Sequence, residues 1–202
     1  LSLLLSTSQG GELKFLYYGR KLTDADVHAI VSTESGSFSA YPVYGLNCPS
    51  ESALSVQHED GNMTLQMEVI GVETTHQEKA NLTVISLKDK VYPFYVKLCY
   101  KAYQDVDVIE AWTEISHKEK KNVKLNQFAS AYLPVRKGNV WLSSLYGAWA
   151  NEARLVQEPL EPGMKVIKNK DGVRNSHTAH AEVMFSLDGQ PRENSGDRKS
   201  VV

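Results

Sequence analysis

The 202 residues are 42% hydrophobic and 23% charged, an ordinary balance for a globular chain long enough to bury a core. With 22 Lys and Arg against 24 Asp and Glu, the net charge is −2, which leaves no electrostatic footprint for nucleic acid. No window reaches the apolar length of a membrane span, so neither nucleic acid nor a membrane is expected as a partner.

The opening Leu1–Leu5 run has no basic leader and is short for the apolar region of a signal peptide, so it is read as mature chain or as the start of an excised piece. The composition suits cytoplasm and periplasm equally. Asp24–Val31 has a helical flavour and is expected as a turn or a single helical turn. From there the dominant signal is period-two alternation. Leu82, Val84 and Ser86 alternate with Thr83, Ile85 and Leu87, and Phe94, Val96, Leu98 and Tyr100 share one face of the next run. After a turn at Gln104-Asp105, a long strand carries Val108, Glu110, Trp112 and Glu114 on one face and Ile109, Ala111, Thr113 and Ile115 on the other. The charged His117–Asn122 turn leads to a strand begun by Val123, Leu125, Gln127, Ala129 and Ala131. The expectation is a meander in which each strand reverses into its neighbour.

Turn signals recur at Gly10-Gly11, Asp60-Gly61-Asn62, Lys137-Gly138-Asn139, Pro162-Gly163, Asp171-Gly172 and Asp188-Gly189. Their spacing argues for a sandwich or barrel over βαβ units. Residues 141–154 (WLSSLYGAWANEAR) break the alternation. Trp141, Leu142, Leu145, Tyr146 and Trp149 fall at helical spacing, while Gly147 and the β neighbourhood oppose a helix, so locally either element fits. Residues 1–189 are expected to form a single domain and residues 190–202 a loose polar tail.

Candidate chemistry is sparse. Cys48 and Cys99 have neither a disulfide framework nor the neighbours of a zinc site, and both read as small buried hydrophobes. His177 and His180 stand three apart where loop enters strand, which points them to opposite faces, so no metal site is expected. The same-face pairs Asp105/Asp107 and Glu110/Glu114 have the residue types of a glycosidase, but a charged solvent face is the ordinary outcome for an antiparallel strand. No nucleophile elbow, phosphate loop or zinc-helix motif occurs, and no cofactor is expected. The 10 tyrosines and 3 tryptophans are richer material, suited to core packing and to stacking on sugars.

Several blocks in order resemble the N-terminal domain of glycoside hydrolase family 36, the α-galactosidases. Leu16–Leu22 (LYYGRKL) resembles an early Y-x-G-[KR]-[KR]-[LI] strand and turn. Tyr41-Pro42-Val43-Tyr44-Gly45, followed by Glu51-Ser52-Ala53-Leu54, resembles a Y-P-x-[FY]-G…E-x-A-L loop, and His58–Gly61 an H-x-D-G turn. Tyr103–Ile109 resembles Y-x-D-x-D-[VL]-I. Gly147-Ala148-Trp149 with Glu152 resembles G-x-W-x-x-E, followed by Pro159-Leu160, Pro162-Gly163 and Ser176-His177.

The resemblance implies an all-β fold, a large antiparallel β-supersandwich of two packed twisted sheets with meander connections. It also implies a parent enzyme whose (β/α)₈ barrel carries an aspartate nucleophile and an aspartate acid/base for retaining hydrolysis of terminal α-galactosides. The 202 residues contain no alternating βα units and no K-x-D nucleophile strand, so this chain alone is expected to be inactive, with no catalytic residue of its own. Its implied partners are that barrel, further copies in a homo-oligomer, and a galactose-containing oligosaccharide held by the parent. The resemblance makes Asn47, Cys48, Glu51 and Trp149 candidates for sugar contact, and Tyr44, Trp149 and Glu152 candidates for an interface. Cys48 and Pro49 replace an acidic residue and an aromatic common in the family, and Asn151 and Ala153 replace common arginines. The alternative is a free-standing carbohydrate-binding β-sandwich. A mutarotase-like isomerase needs a converging His and Glu, and His58, His177 and Glu182 share no anchor in the sequence.

Overall fold

The computed structural model describes residues 1–33, 38–45, 51–135, 138–169, 178–187, 189–192 and, for the backbone alone, 198–201. The chain divides into two compact units, Leu1–Pro134 and Val135–Val202.

The first unit opens with β1 (Ser2–Thr7) and β2 (Leu13–Gly19), then α1 (Asp24–Ser32), β3 (Phe38–Ser39) and β4 (Leu54–Gln57). It continues with β5 (Met67–His76), β6 (Ala80–Asp89), β7 (Phe94–Tyr103), β8 (Ile109–His117) and β9 (Lys124–Phe128). The second unit holds β10 (Trp141–Tyr146), β11 (Arg154–Pro159), β12 (Ala179–Ser186) and β13 (Arg198–Val201). The sheets are ordered β1-β2-β3, β4-β9, β5-β6-β7-β8 and β11-β10-β12-β13, every strand pairing antiparallel. The fold is all-β, as the alternation implied.

The core of the first unit shows why period two governs it. Ile85 and Leu87 from β6 and Phe94, Val96 and Leu98 from β7 turn to one side of the four-stranded sheet. Leu54 and Val56 from β4, with Leu13 from β2, meet them, and Leu54, Val56 and Val96 are 0% exposed. The opposite side of the sheet carries Lys97, Glu110 and Glu114 into solvent. A turn clamp holds the β6–β7 connection. The buried Asp89 carboxylate accepts the backbone N–H groups of Gln66 at 2.6 Å and of Val91 and Tyr92 at 2.8 Å each. Backbone donors that would otherwise be orphaned are satisfied there.

Two expectations need correction. The helical segment is longer than one turn, because Thr23 and Asp26 close a capping box. The Asp26 carboxylate accepts the Thr23 N–H at 3.0 Å, and the Thr23 hydroxyl accepts the Asp26 N–H at 3.3 Å. No residue of this helix is buried, so its capping rather than its packing defines its start. The meander stops at β8. Strand β9 pairs with β4, aligning Leu54 with Phe128 and Ser55 with Gln127. Leu54, Ser55 and Val56 are buried on both faces of β4, and β9 satisfies the backbone of that strand. In the second unit, Arg198–Val201 pairs antiparallel with β12 as β13.

Residues 141–146 are strand, not helix. β10 lies between β11 and β12, and Leu142, Ser143 and Ser144 are buried in succession, so both of its faces are covered there. No helix among the described residues is long and apolar enough to cross a membrane.

Candidate functional site

The expected sugar-contact loop has two well-defined flanks. On its near side the Tyr44 N–H donates to the Leu54 carbonyl at 2.8 Å, and the Leu65 N–H donates to the Tyr44 carbonyl at 3.0 Å. Tyr44 is thereby fixed by its backbone while its side chain stays about half exposed. Gly45 follows with φ +129°, where a Cβ would lie 2.7 Å from Thr64 Cγ2. On the far side the Glu51 carboxylate accepts from Gln127 Nε2 at 2.9 Å, and the same amide donates to the Ser52 carbonyl at 2.7 Å. Asn47 and Cys48 lie outside the described residues.

Trp149 and Glu152 share the β10–β11 hairpin in the second unit. Ala148 and Asn151 exchange backbone hydrogen bonds at 3.1 and 3.0 Å, closing a tight loop. Ala150 and Ala153 take φ of +58° and +57°, a conformation that costs a non-glycine residue energy. The result puts Trp149 at the tip, 83% exposed, with Glu152 in solvent beside it. An indole that open contributes nothing to a core within the chain. It is the most exposed of the large apolar side chains among the described residues.

The carboxylate pair of β8 does not converge. Glu110 and Glu114 stand four residues apart on one strand, about 13 Å between Cα atoms by strand rise, with Trp112 between them. Among the described residues no three of His, Cys, Asp and Glu gather as metal ligands. His180 lies on β12 and His177 lies outside the described residues.

One polar cluster escaped sequence reasoning. His58 Nδ1 meets Glu119 Oε1 at 2.8 Å with both side chains essentially buried, and the second Glu119 oxygen accepts the Glu59 N–H at 3.3 Å. The imidazole stacks on Tyr92 with centroids 3.7 Å apart and planes 7° from parallel, and Phe94 meets it edge-on at 5.9 Å. The Tyr92 hydroxyl donates to Asp60 at 2.7 Å and accepts from Asn62 Nδ2 at 3.0 Å. The Tyr92 hydrogen bond leads the causes that hold the Asp60 carboxyl below its usual range. His58 Nε2 is buried without a protein partner among the described residues. The cluster ties three turns together and admits nothing to the ring, so its chemistry is structural. The isomerase reading lacked an anchor for His58; the structure supplies Glu119 and buries both. Only the His58–Gly61 motif hinted at this, because Glu119 is 61 residues away.

The described residues form a β-domain of antiparallel sheets whose β10–β11 hairpin exposes a tryptophan. That fold is shared with solved α-galactosidases. A variant of the GH36 α-galactosidase AgaA from Geobacillus stearothermophilus, in complex with raffinose, matches at TM-score 0.80 and 20% identity, over 91% of this chain and 30% of that one. The α-galactosidase of Lactobacillus brevis matches at TM-score 0.76 and 19% identity, over 92% and 29%. In sequence, the α-galactosidase Mel36A of Lactobacillus acidophilus is 29% identical over 104 residues, which is 52% of this chain and 14% of that relative. The model of the glycosyl hydrolase family 36 N-terminal domain matches residues 11–199, and the chain belongs to that family. It spans less than a third of the length of each of these relatives.

Proposed function

We propose that this chain is the non-catalytic N-terminal domain of an α-galactosidase whose catalytic barrel hydrolyses terminal α-galactosides with retention. The observation that carries the reading is the family match over residues 11–199, which runs through both compact units and so supports treating residues 1–189 as one domain. The domain packs on the barrel and contributes oligomer contacts through Tyr44, Trp149 and Glu152. The loop between Tyr44 and Glu51, including Asn47 and Cys48, approaches the sugar pocket. The exposure of Trp149 supports an interface role, since burying a large ring against a partner is a strong source of affinity.

The test is hydrolysis of 4-nitrophenyl α-galactoside by the chain alone and by the chain joined to a family 36 catalytic barrel. No turnover is expected from the first and turnover from the second, with Trp149→Ala weakening assembly. Turnover by the chain alone that disappears in Asp105→Asn or Asp107→Asn overturns the reading. The exposed Trp149 also favours a second reading, a free-standing sugar-binding module. It requires saturable binding of galactose or raffinose that Trp149→Ala weakens.

A further inference from the structure

The outward face of the β5-β6-β7-β8 sheet carries a second arrangement, centred on Trp112. This residue sits on β8, an outer strand of the sheet, opposite Cys99 in the ladder. Glu110 and Glu114 flank it at two-residue spacing on the same face. Lys101 lies opposite Glu110 and Lys97 opposite Glu114, so the ring is framed by two carboxylates and two ammonium groups whose charges cancel. The carboxylates are oriented by aromatic donors. Trp112 Nε1 donates to Glu114 Oε1 at 3.3 Å, and the Tyr103 hydroxyl donates to Glu110 Oε2 at 3.1 Å. Lys101 Nζ lies 5.1 Å from the Tyr103 ring centroid, which fixes the cation as well. Glu110, Glu114 and Lys97 are exposed and Trp112 is partly so.

We propose that this face binds an uncharged oligosaccharide, with Trp112 as the stacking surface and Glu110, Glu114 and the lysines bonding hydroxyls. The chemistry selects that occupant. A pyranose offers an apolar C–H face to an aromatic ring and a rim of hydroxyls that both donate and accept. Carboxylates held by one oxygen keep the other for a hydroxyl donor, and ammonium groups supply donors for hydroxyl oxygens. The balanced charge gives no attraction to an ion of either sign, and the polar rim is unlike the apolar centre of a protein interface. The wide separation of Glu110 and Glu114, which removes them as a catalytic pair, suits contacts to successive hydroxyls along a chain.

The α-galactosidase reading supplies only raffinose as one probe. Failure here leaves that reading to its own test with the barrel. The experiment titrates the ¹⁵N-labelled 202-residue chain separately with raffinose, maltoheptaose and cellohexaose. A saturable response to at least one sugar, confined to residues 97–103 and 110–114, is expected. Trp112→Ala should weaken it about tenfold and Trp112→Phe less. Melting curves of the variants separate lost binding from lost fold. No response to any of the three sugars, or binding unchanged in a folded Trp112→Ala or Trp112→Phe protein, overturns the proposal. So does a concentration-dependent self-association that moves the same resonances without sugar.

Discussion

His58 Nδ1 and Glu119 Oε1 meet at 2.8 Å in a site that leaves their side chains 0% and 3% exposed. One contact joins the turn after β4 to the turn after β8, and the stacked Tyr92 brings in the turn between β6 and β7. Removing one partner of such a pair leaves a buried polar group unpaired, and that loss outweighs the net worth of the contact. Glu119→Ala should therefore lower unfolding stability by about 3 kcal/mol in urea titration. Glu119→Gln keeps an acceptor oxygen and should cost about 1 kcal/mol. Equal, small effects from both would show that the pair does not hold these turns.

Asp60 lies at the outer side of the same cluster, its carboxyl held below the usual range first by the Tyr92 hydroxyl and then by the Asn62 N–H. A depressed carboxyl favours the folded state while it is ionised. Its contribution is present above the ordinary aspartate value of about 3.9 and is lost as pH falls through the lower folded value. Carboxyl NMR titration of Tyr92→Phe should move the Asp60 midpoint upward, while the imidazole stack remains. An unchanged midpoint would remove the phenol as the cause.

Tyr100 gives an alkaline counterpart. Burial pushes its phenol from 10.0 up to about 12, because the phenolate has little water around it. The unfolded chain then releases this proton before the folded one, so stability is full below about pH 10 and declines as pH rises towards 12. Tyr100→Phe should flatten that decline in denaturation curves followed from pH 9 to 12. Tyrosinate absorbance at high pH should show one fewer late-titrating group in the variant.

Gly45 anchors the flank of the candidate sugar loop. Its φ of +129° is open to glycine, and an added Cβ would press on Thr64 Cγ2 at 2.7 Å and on Leu65 N at 3.2 Å. Gly45→Ala should cost about 2 kcal/mol, read as a lowered melting temperature, through strain at a backbone conformation L-residues avoid. A variant as stable as the parent would mean that this flank adapts.

The strand content was legible because alternation is a local property. Phe94, Val96 and Leu98 read as one face in the sequence and are buried together in the structure. Partner choice was not legible in the same way. The pattern of Leu125 and Gln127 is equally compatible with pairing to β8 or to β4, and the burial of Leu54, Ser55 and Val56 decided for β4. The helical spacing around Trp141 left the element open for a related reason, since a strand covered on both faces buries consecutive residues and so loses its alternation. Of the candidate site residues, Trp149 stood out in both descriptions, first by its motif and then by its exposure.

By itself the sequence determined the antiparallel β class, the turns at Gly11, Gly61 and Gly163, and the ordered motifs of the family, all of which arise from neighbouring residues. Tertiary structure alone decided that β9 leaves the meander, that His58 finds Glu119, and that Trp112 is framed by balanced charge. Each depends on segments distant in the chain meeting across a sheet or between turns. Such meetings are set by the summed burial of many side chains, which no local spacing encodes.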